Sequence, residues 1–253
     1  MGKKSFRILI PMPGLISSIA SGFNTAASNL YLILFPAFLD LFLWFGPHFR
    51  LKSILEPIVM GMIKQLSGIN QAGMENVIQS TKMVWESILE RLNLAIFLRT
   101  FPIGIPSLIA GIAPINTPLG QAPLYEMTGF GGVAGIWLFF LLLGIFLGTV
   151  YFIEIYQSSI HKEKTPFERR ILRKYTQSIG LTLLLLLLVI LLFIPGTIII
   201  SIITLISPFA AQIAMLILGF ILLYLMFPCV FSPHGIISKN LNAVSSIVTS
   251  FQL

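Results

Sequence analysis

The sequence predicts an all-α integral membrane protein: four transmembrane helices, amphipathic interfacial helices and an outer-side helical segment. Three observations carry this reading. Of 253 residues, 56% are apolar and only 10% are charged, against roughly 25% charged in soluble domains. Four apolar stretches approach or exceed the roughly 20 residues needed to cross the hydrocarbon core. Basic residues cluster between those stretches on alternate sides, the pattern that orients membrane helices.

The first unit, residues 1–29, is a cytoplasmic tail followed by an amphipathic helix. Lys3, Lys4 and Arg7 form a basic start, but Pro11 and Pro13 interrupt the apolar run that a cleaved signal needs, so none is expected. The myristoylation pattern also fails, because its sixth position wants Ser or Thr. Leu15, Ile16, Ile19, Phe23, Ala27 and Leu30 recur on one helical stripe, with Ser17, Ser18, Ser21, Asn24, Thr25 and Ser28 opposite. Such a helix lies in the membrane interface or packs its stripe onto the bundle.

Span one covers residues 30–48, LYLILFPAFLDLFLWFGPH. Residues 49–132 form the outer-side segment. There Val77, Ile78, Val84, Trp85, Ile88, Leu89 and Leu92 make an apolar stripe, and Lys82 and Glu86 an i,i+4 pair on the wet face. A shorter partner helix is expected from Ile54 to Leu66, with Gly68 and Gly73 bracketing the turn between the two. Residues 93–115 are apolar but punctuated by Arg99, Pro102, Gly104, Pro106 and Gly111. A re-entrant loop stays open, and an interfacial segment is favoured over a fifth span, since irregular backbone at membrane depth must be covered by protein or water.

Span two is 133–156, the basic cytoplasmic loop 157–179, span three 180–207, span four 209–231, and the C-terminal amphipathic helix 232–253. Pro195-Gly196 is expected to kink or break span three. In the last unit Ile237, Leu241, Val244, Val248 and Phe251 form the apolar stripe. The formal net charge of +7 does not point to nucleic acid, because the cations lie in short clusters beside apolar runs: in the tail, in the 157–179 loop and at Lys239, with Arg50 and Lys52 at the start of the long 49–132 segment, where the positive-inside rule acts weakly. The first three places fall on one side of a four-span arrangement, which makes both termini cytoplasmic.

An amphipathic helix running into a Pro-containing first span (Asn29–Pro36), and a late span leaving through Phe227-Pro228 into a second amphipathic helix ending in Ser245-Ser246 and Ser250-Phe251, form a recognisable layout. GLISS at 14–18 and GIISK at 235–239 mark corresponding helix starts. This layout resembles the bacterial membrane domains of glycerophosphodiesterase membrane-domain proteins and related six-span families of unknown function. Their pattern begins a further span beyond the point that Leu253 reaches. The resemblance implies a bacterial cytoplasmic membrane and no catalytic activity, since that domain is not the catalytic part.

Two acids fall within apolar spans, where ionisable residues mark functional sites or buried structural bonds. Asp40 lies midway along span one and shares a face with Pro36 and Trp44, so it is expected to meet spans three and four near Thr197, Ser201, Thr204 or Gln212. Glu154 lies toward the inner end of span two, about nine residues or roughly 13 Å past its middle, and is expected to snorkel toward the basic loop rather than share a site with Asp40. Arg169, Arg170, Arg173 and Lys174 form a possible anionic-lipid site as well as a topology signal.

His48 belongs to the outer side, His161 and His234 to the inner, so no shared metal is expected. Axial ligation of a pigment by His48 or His234 stays open in principle, but both read as interface residues and no cofactor is expected. Cys229 is the only cysteine, which excludes an internal disulfide. No nucleotide loop, nucleophile elbow, zinc-helix motif or Ca²⁺ loop occurs. The expected partners are lipids and other membrane protein subunits, not nucleic acid. Two functions fit: a non-catalytic subunit that docks in or stabilises a larger membrane assembly, or a permease component with a midplane site near Asp40.

Overall fold

The computed structural model describes residues 14–67, 74–109, 116–160 and 167–252. It is predominantly helical, and its long helices follow the apolar stretches. α1 (Leu15–Ser28) and α2 (Tyr31–Phe45) meet at a bend of 81°. Asn29 makes that corner, its side-chain amide donating to the Thr25 carbonyl at 2.9 Å. α2 stops before Gly46-Pro47, because a residue preceding proline is driven out of the helical region. Its 15 residues span about 22 Å, short of the ~30 Å hydrocarbon core, where the sequence had suggested a span over 30–48.

The outer segment contains short strands that an all-α expectation lacks. β1 (His48–Arg50) pairs in parallel with β4 (Leu124–Glu126), tying the start of this segment to its end. Arg50 and Glu126 close the pair with an ion pair at 3.3 Å. β2 (Asn116–Thr117) and β3 (Gly120–Gln121) form a small antiparallel hairpin. These pairings were not legible because none is long enough to show an alternating pattern.

α3 (Lys52–Ser67) and α4 (Met74–Arg91) lie against each other, as expected for partner helices. The turn between Gly68 and Gly73 lies outside the described residues. The anticipated Lys82–Glu86 pair is formed, at 3.8 Å. Of the α4 stripe, Leu89 is buried, whereas Val84, Trp85 and Ile88 stay exposed.

After α4, a 3₁₀ turn at Leu94–Leu98 leads into irregular chain whose Leu94, Ala95, Leu98, Ile103 and Ile105 are all buried. It packs on the middle of α5 (Phe130–Ile160), not at either end. Gly144 and Gly148 allow this approach. A Cβ at 144 would come within 2.6 Å of the Leu98 carbonyl oxygen, and one at 148 would collide with the Ile103 carbonyl. The irregular backbone of residues 93–109 thus lies alongside the centre of the apolar stretch 133–156, with Phe101 and Leu108 exposed. Residues 110–115 lie outside the described chain.

α6 (Phe167–Ile206) and α7 (Pro208–Cys229) form an antiparallel hairpin. Ser207 caps α7 by accepting from the Ala210 amide at 3.3 Å, and Pro208 occupies the first helical turn, where no donor is missed. Of the expected kink or break at Pro195-Gly196, no break occurs: α6 is continuous through both residues. Gly196 lets the helices close, since a Cβ there would lie 2.8 Å from the Leu218 methyls. Residues 167–179, expected as loop, are the first turns of α6.

The C-terminal unit is two helices, α8 (Ser232–Lys239) and α9 (Ala243–Ser250), rather than one. Asn240 takes a left-handed conformation (φ 52°) and Asn242 caps α9 through the Ser245 amide at 2.8 Å. The face that α9 buries is Ala243, Ser246 and Ser250, while Val244 and Val248 of the predicted stripe point outward. Small residues win because Gly235 of α8 sits directly against Ser246, leaving no room for a branched chain. Two apolar clusters result. One joins Leu39, Leu43, Leu98 and Ile105 to Phe140 and Tyr151; the other joins Ile153, Leu181 and Leu185 to Cys229, Ile236 and Ala243.

Candidate functional site

Asp40 projects from α2 toward the irregular segment, not toward α6 and α7. The Ser107 hydroxyl and the Leu108 amide (3.1 Å) donate to Oδ1, and the Ile109 amide approaches the same oxygen at 3.4 Å. The expected partners on α6 and α7 are therefore replaced: Thr197, Ser201 and Thr204 each donate to carbonyls of their own helix. The reason is topological. The 94–109 chain inserts beside α2 and α5, bringing unpaired backbone donors that need an acceptor. Asp40 supplies it.

Glu154 is met by Tyr31 of α2, whose hydroxyl donates to Oε2 at 3.3 Å and lies 2.8 Å from the Ser158 hydroxyl. It faces α2 rather than the basic segment. Tyr31 is a residue that sequence reasoning passed over, and only the α2–α5 pairing reveals it.

The basic cluster divides. Lys174 is buried and donates to the Ile237 carbonyl at 2.8 Å, near the C-terminus of α8, with its ammonium 5.8 Å from the Tyr156 ring centroid. A cation at a helix C-terminus satisfies an otherwise unpaired carbonyl. This bond joins α6 to α8, whereas the sequence reading had grouped Lys174 with a possible anionic-lipid site. Arg173 is exposed, and the side chains of Arg169 and Arg170 lie outside the described residues.

Among the described residues no group of His, Cys, Asp and Glu could hold a metal ion. His48 is buried, with Nε2 3.1 Å from the Leu43 carbonyl, which caps the end of α2. His234 stacks edgewise on Phe152, and His161 lies outside the described residues. The Cys229 thiol donates to the Leu225 carbonyl at 3.3 Å.

Between α2 and α5 runs a groove of about 610 Å³. Phe38 and Phe42 of α2 form one wall, Phe139, Leu143 and Leu147 of α5 the other, and Leu98 and Ile105 the floor. Tyr31 closes one end, so its hydroxyl places the Glu154–Ser158 pair at that mouth. The sequence did carry a signal for this arrangement: Gly144 and Gly148 stand in a small-xxx-small spacing, which permits close backbone approach. That approach seats the floor.

These features define a class: a predominantly helical protein with three helices long and apolar enough to cross a membrane, or four if the bent α1–α2 pair is one span. No family model, curated protein or solved structure matches the chain.

Proposed function

We propose that this chain is a non-catalytic integral membrane subunit that docks in or stabilises a larger membrane protein assembly. The observation that carries the reading is the α6–α7 hairpin. Leu187, Leu191, Ile198 and Ile202 on α6, and Leu216, Phe220 and Leu223 on α7, are all exposed. At 100° per residue the exposed apolar positions of α6 cover more than half its circumference. Contiguous apolar surface of this extent belongs in lipid or against another protein.

A partner protein is favoured over lipid alone by surfaces beyond the long helices. Met83, Trp85 and Ile88 on α4 are exposed beside the charged Lys82–Glu86 pair, so an apolar face is uncovered on a helix that also carries a wet one. Phe23 on α1 and Val248 on α9 add outward apolar stripes at the other end of the chain's organisation. The permease reading is weaker, because the Asp40 carboxylate is occupied by the 107–109 segment. We place the protein in a bacterial cytoplasmic membrane with both termini inside, on the distribution of its basic residues.

Extraction from native membranes in a mild detergent tests the proposal. The expected result is a particle containing further polypeptides in fixed ratio. A monomer or homodimer that moves solute when placed in liposomes would overturn it in favour of transport.

A further inference from the structure

We infer that the α2–α5 groove is a lipid site, taking the aliphatic chains of one membrane lipid with an ammonium-bearing headgroup at Tyr31 and Glu154. The inference rests on the membrane reading above.

From Tyr31 to Phe42 the groove follows α2 for about 16 Å, a length along which an extended aliphatic chain can lie. Its lining decides the chemistry. Apart from the Tyr31 hydroxyl at one end, the side chains facing it are hydrocarbon, so a polar occupant would lose its hydration without replacement. It is open along one side, where Leu34, Phe38 and Phe139 are exposed, which allows entry from the surrounding apolar phase.

Charge decides the headgroup. At the Tyr31 mouth the Glu154 carboxylate receives one hydroxyl at 3.3 Å and, among the described residues, is paired with no cation. The Ser158 hydroxyl beside it adds a second acceptor. An ammonium with several N–H donors matches this pair, whereas an anionic headgroup without one would be repelled.

The test uses the full chain reconstituted into vesicles of equal phosphatidylethanolamine and phosphatidylglycerol, the former carrying a photoreactive acyl chain. After flotation and gentle re-extraction, the retained lipid should be enriched in phosphatidylethanolamine roughly two- to fivefold, the range of a part-exposed charge pair. Photolabel should fall on residues 31–42 and 139–147. Glu154→Gln should remove the enrichment and Glu154→Lys should reverse it toward phosphatidylglycerol, with the labelled residues unchanged. Leu147→Trp, which fills the groove, should lower retained lipid of both kinds. Protein that floats but retains lipid without headgroup preference, or keeps its preference in Glu154→Lys, overturns the inference and leaves the membrane reading standing. Cross-linking of Phe38→Cys to a second copy instead of lipid labelling also overturns it. Protein that does not float overturns both.

Discussion

The Ser107 hydroxyl donates to the carboxylate of Asp40, 67 positions away in sequence, and fastens the irregular 94–109 chain to α2. Both residues are followed or preceded by donors and apolar contacts that make sense only together. Asp40 gives the 107–109 backbone its acceptor, and the chain in turn shields a carboxyl group from an apolar surrounding.

This bond makes Asp40 a structural residue with a distinctive substitution pattern. Asp40→Asn keeps an acceptor oxygen and should cost within about 1 kcal/mol, the net worth of one hydrogen bond. Asp40→Leu removes the acceptor of the Leu108 and Ile109 amides and of the Ser107 hydroxyl and should cost about 1–3 kcal/mol. Thermal unfolding in detergent reads the difference. Equal midpoints for the two variants would show that the carboxyl does not hold the segment.

The two glycines of α5 predict a second contrast. Gly148→Ala places a methyl into the Ile103 carbonyl and should destabilise by about 1–3 kcal/mol, as overpacked sites do. Gly135→Ala, with nothing within 4 Å of its Cβ, should be neutral or stabilising by up to about 1 kcal/mol through helix propensity. If both shift the unfolding temperature alike, the 94–109 chain does not lie on α5.

Lys174 and Arg173 are neighbours with opposite fates. Lys174→Met should lower stability, since the Ile237 carbonyl loses its donor, and leave lipid retention unchanged. Neutralising Arg169, Arg170 and Arg173 together should reduce copurified anionic lipid, at about 1 kcal/mol per cation near the surface, and leave the unfolding temperature in place. Unchanged lipid content in the triple variant would reduce those arginines to topology signals.

Orientation is testable with single cysteines in a Cys229→Ser background. Ser5→Cys and Lys239→Cys should react with an impermeant maleimide only after the membrane is opened. Labelling of both in intact cells would invert the arrangement.

The outward stripe of α9 gives a last contrast. Val244→Ser with Val248→Ser should leave folding intact, because neither side chain is buried, yet loosen attachment to membrane or partner. Ser246→Leu should disrupt the α8–α9 pair, since the hydroxyl that it removes donates to the Ser232 carbonyl and packs on Gly235. Circular dichroism and copurification separate the two effects.

By itself the sequence determined the long helices, because an apolar run of sufficient length is a local property that no distant contact need supply. The stretches around 133–156, 180–207 and 209–231 became α5, α6 and α7, and the α4 ion pair followed from i,i+4 spacing. Only tertiary structure decided which polar groups meet. Asp40 found Ser107 and Glu154 found Tyr31, because the fold lays the 94–109 chain and α2 along α5. The same cause turned the apolar stripe of α9 outward: periodicity states which residues share a face, and the space left by Gly235 and Ser246 states which face fits inside.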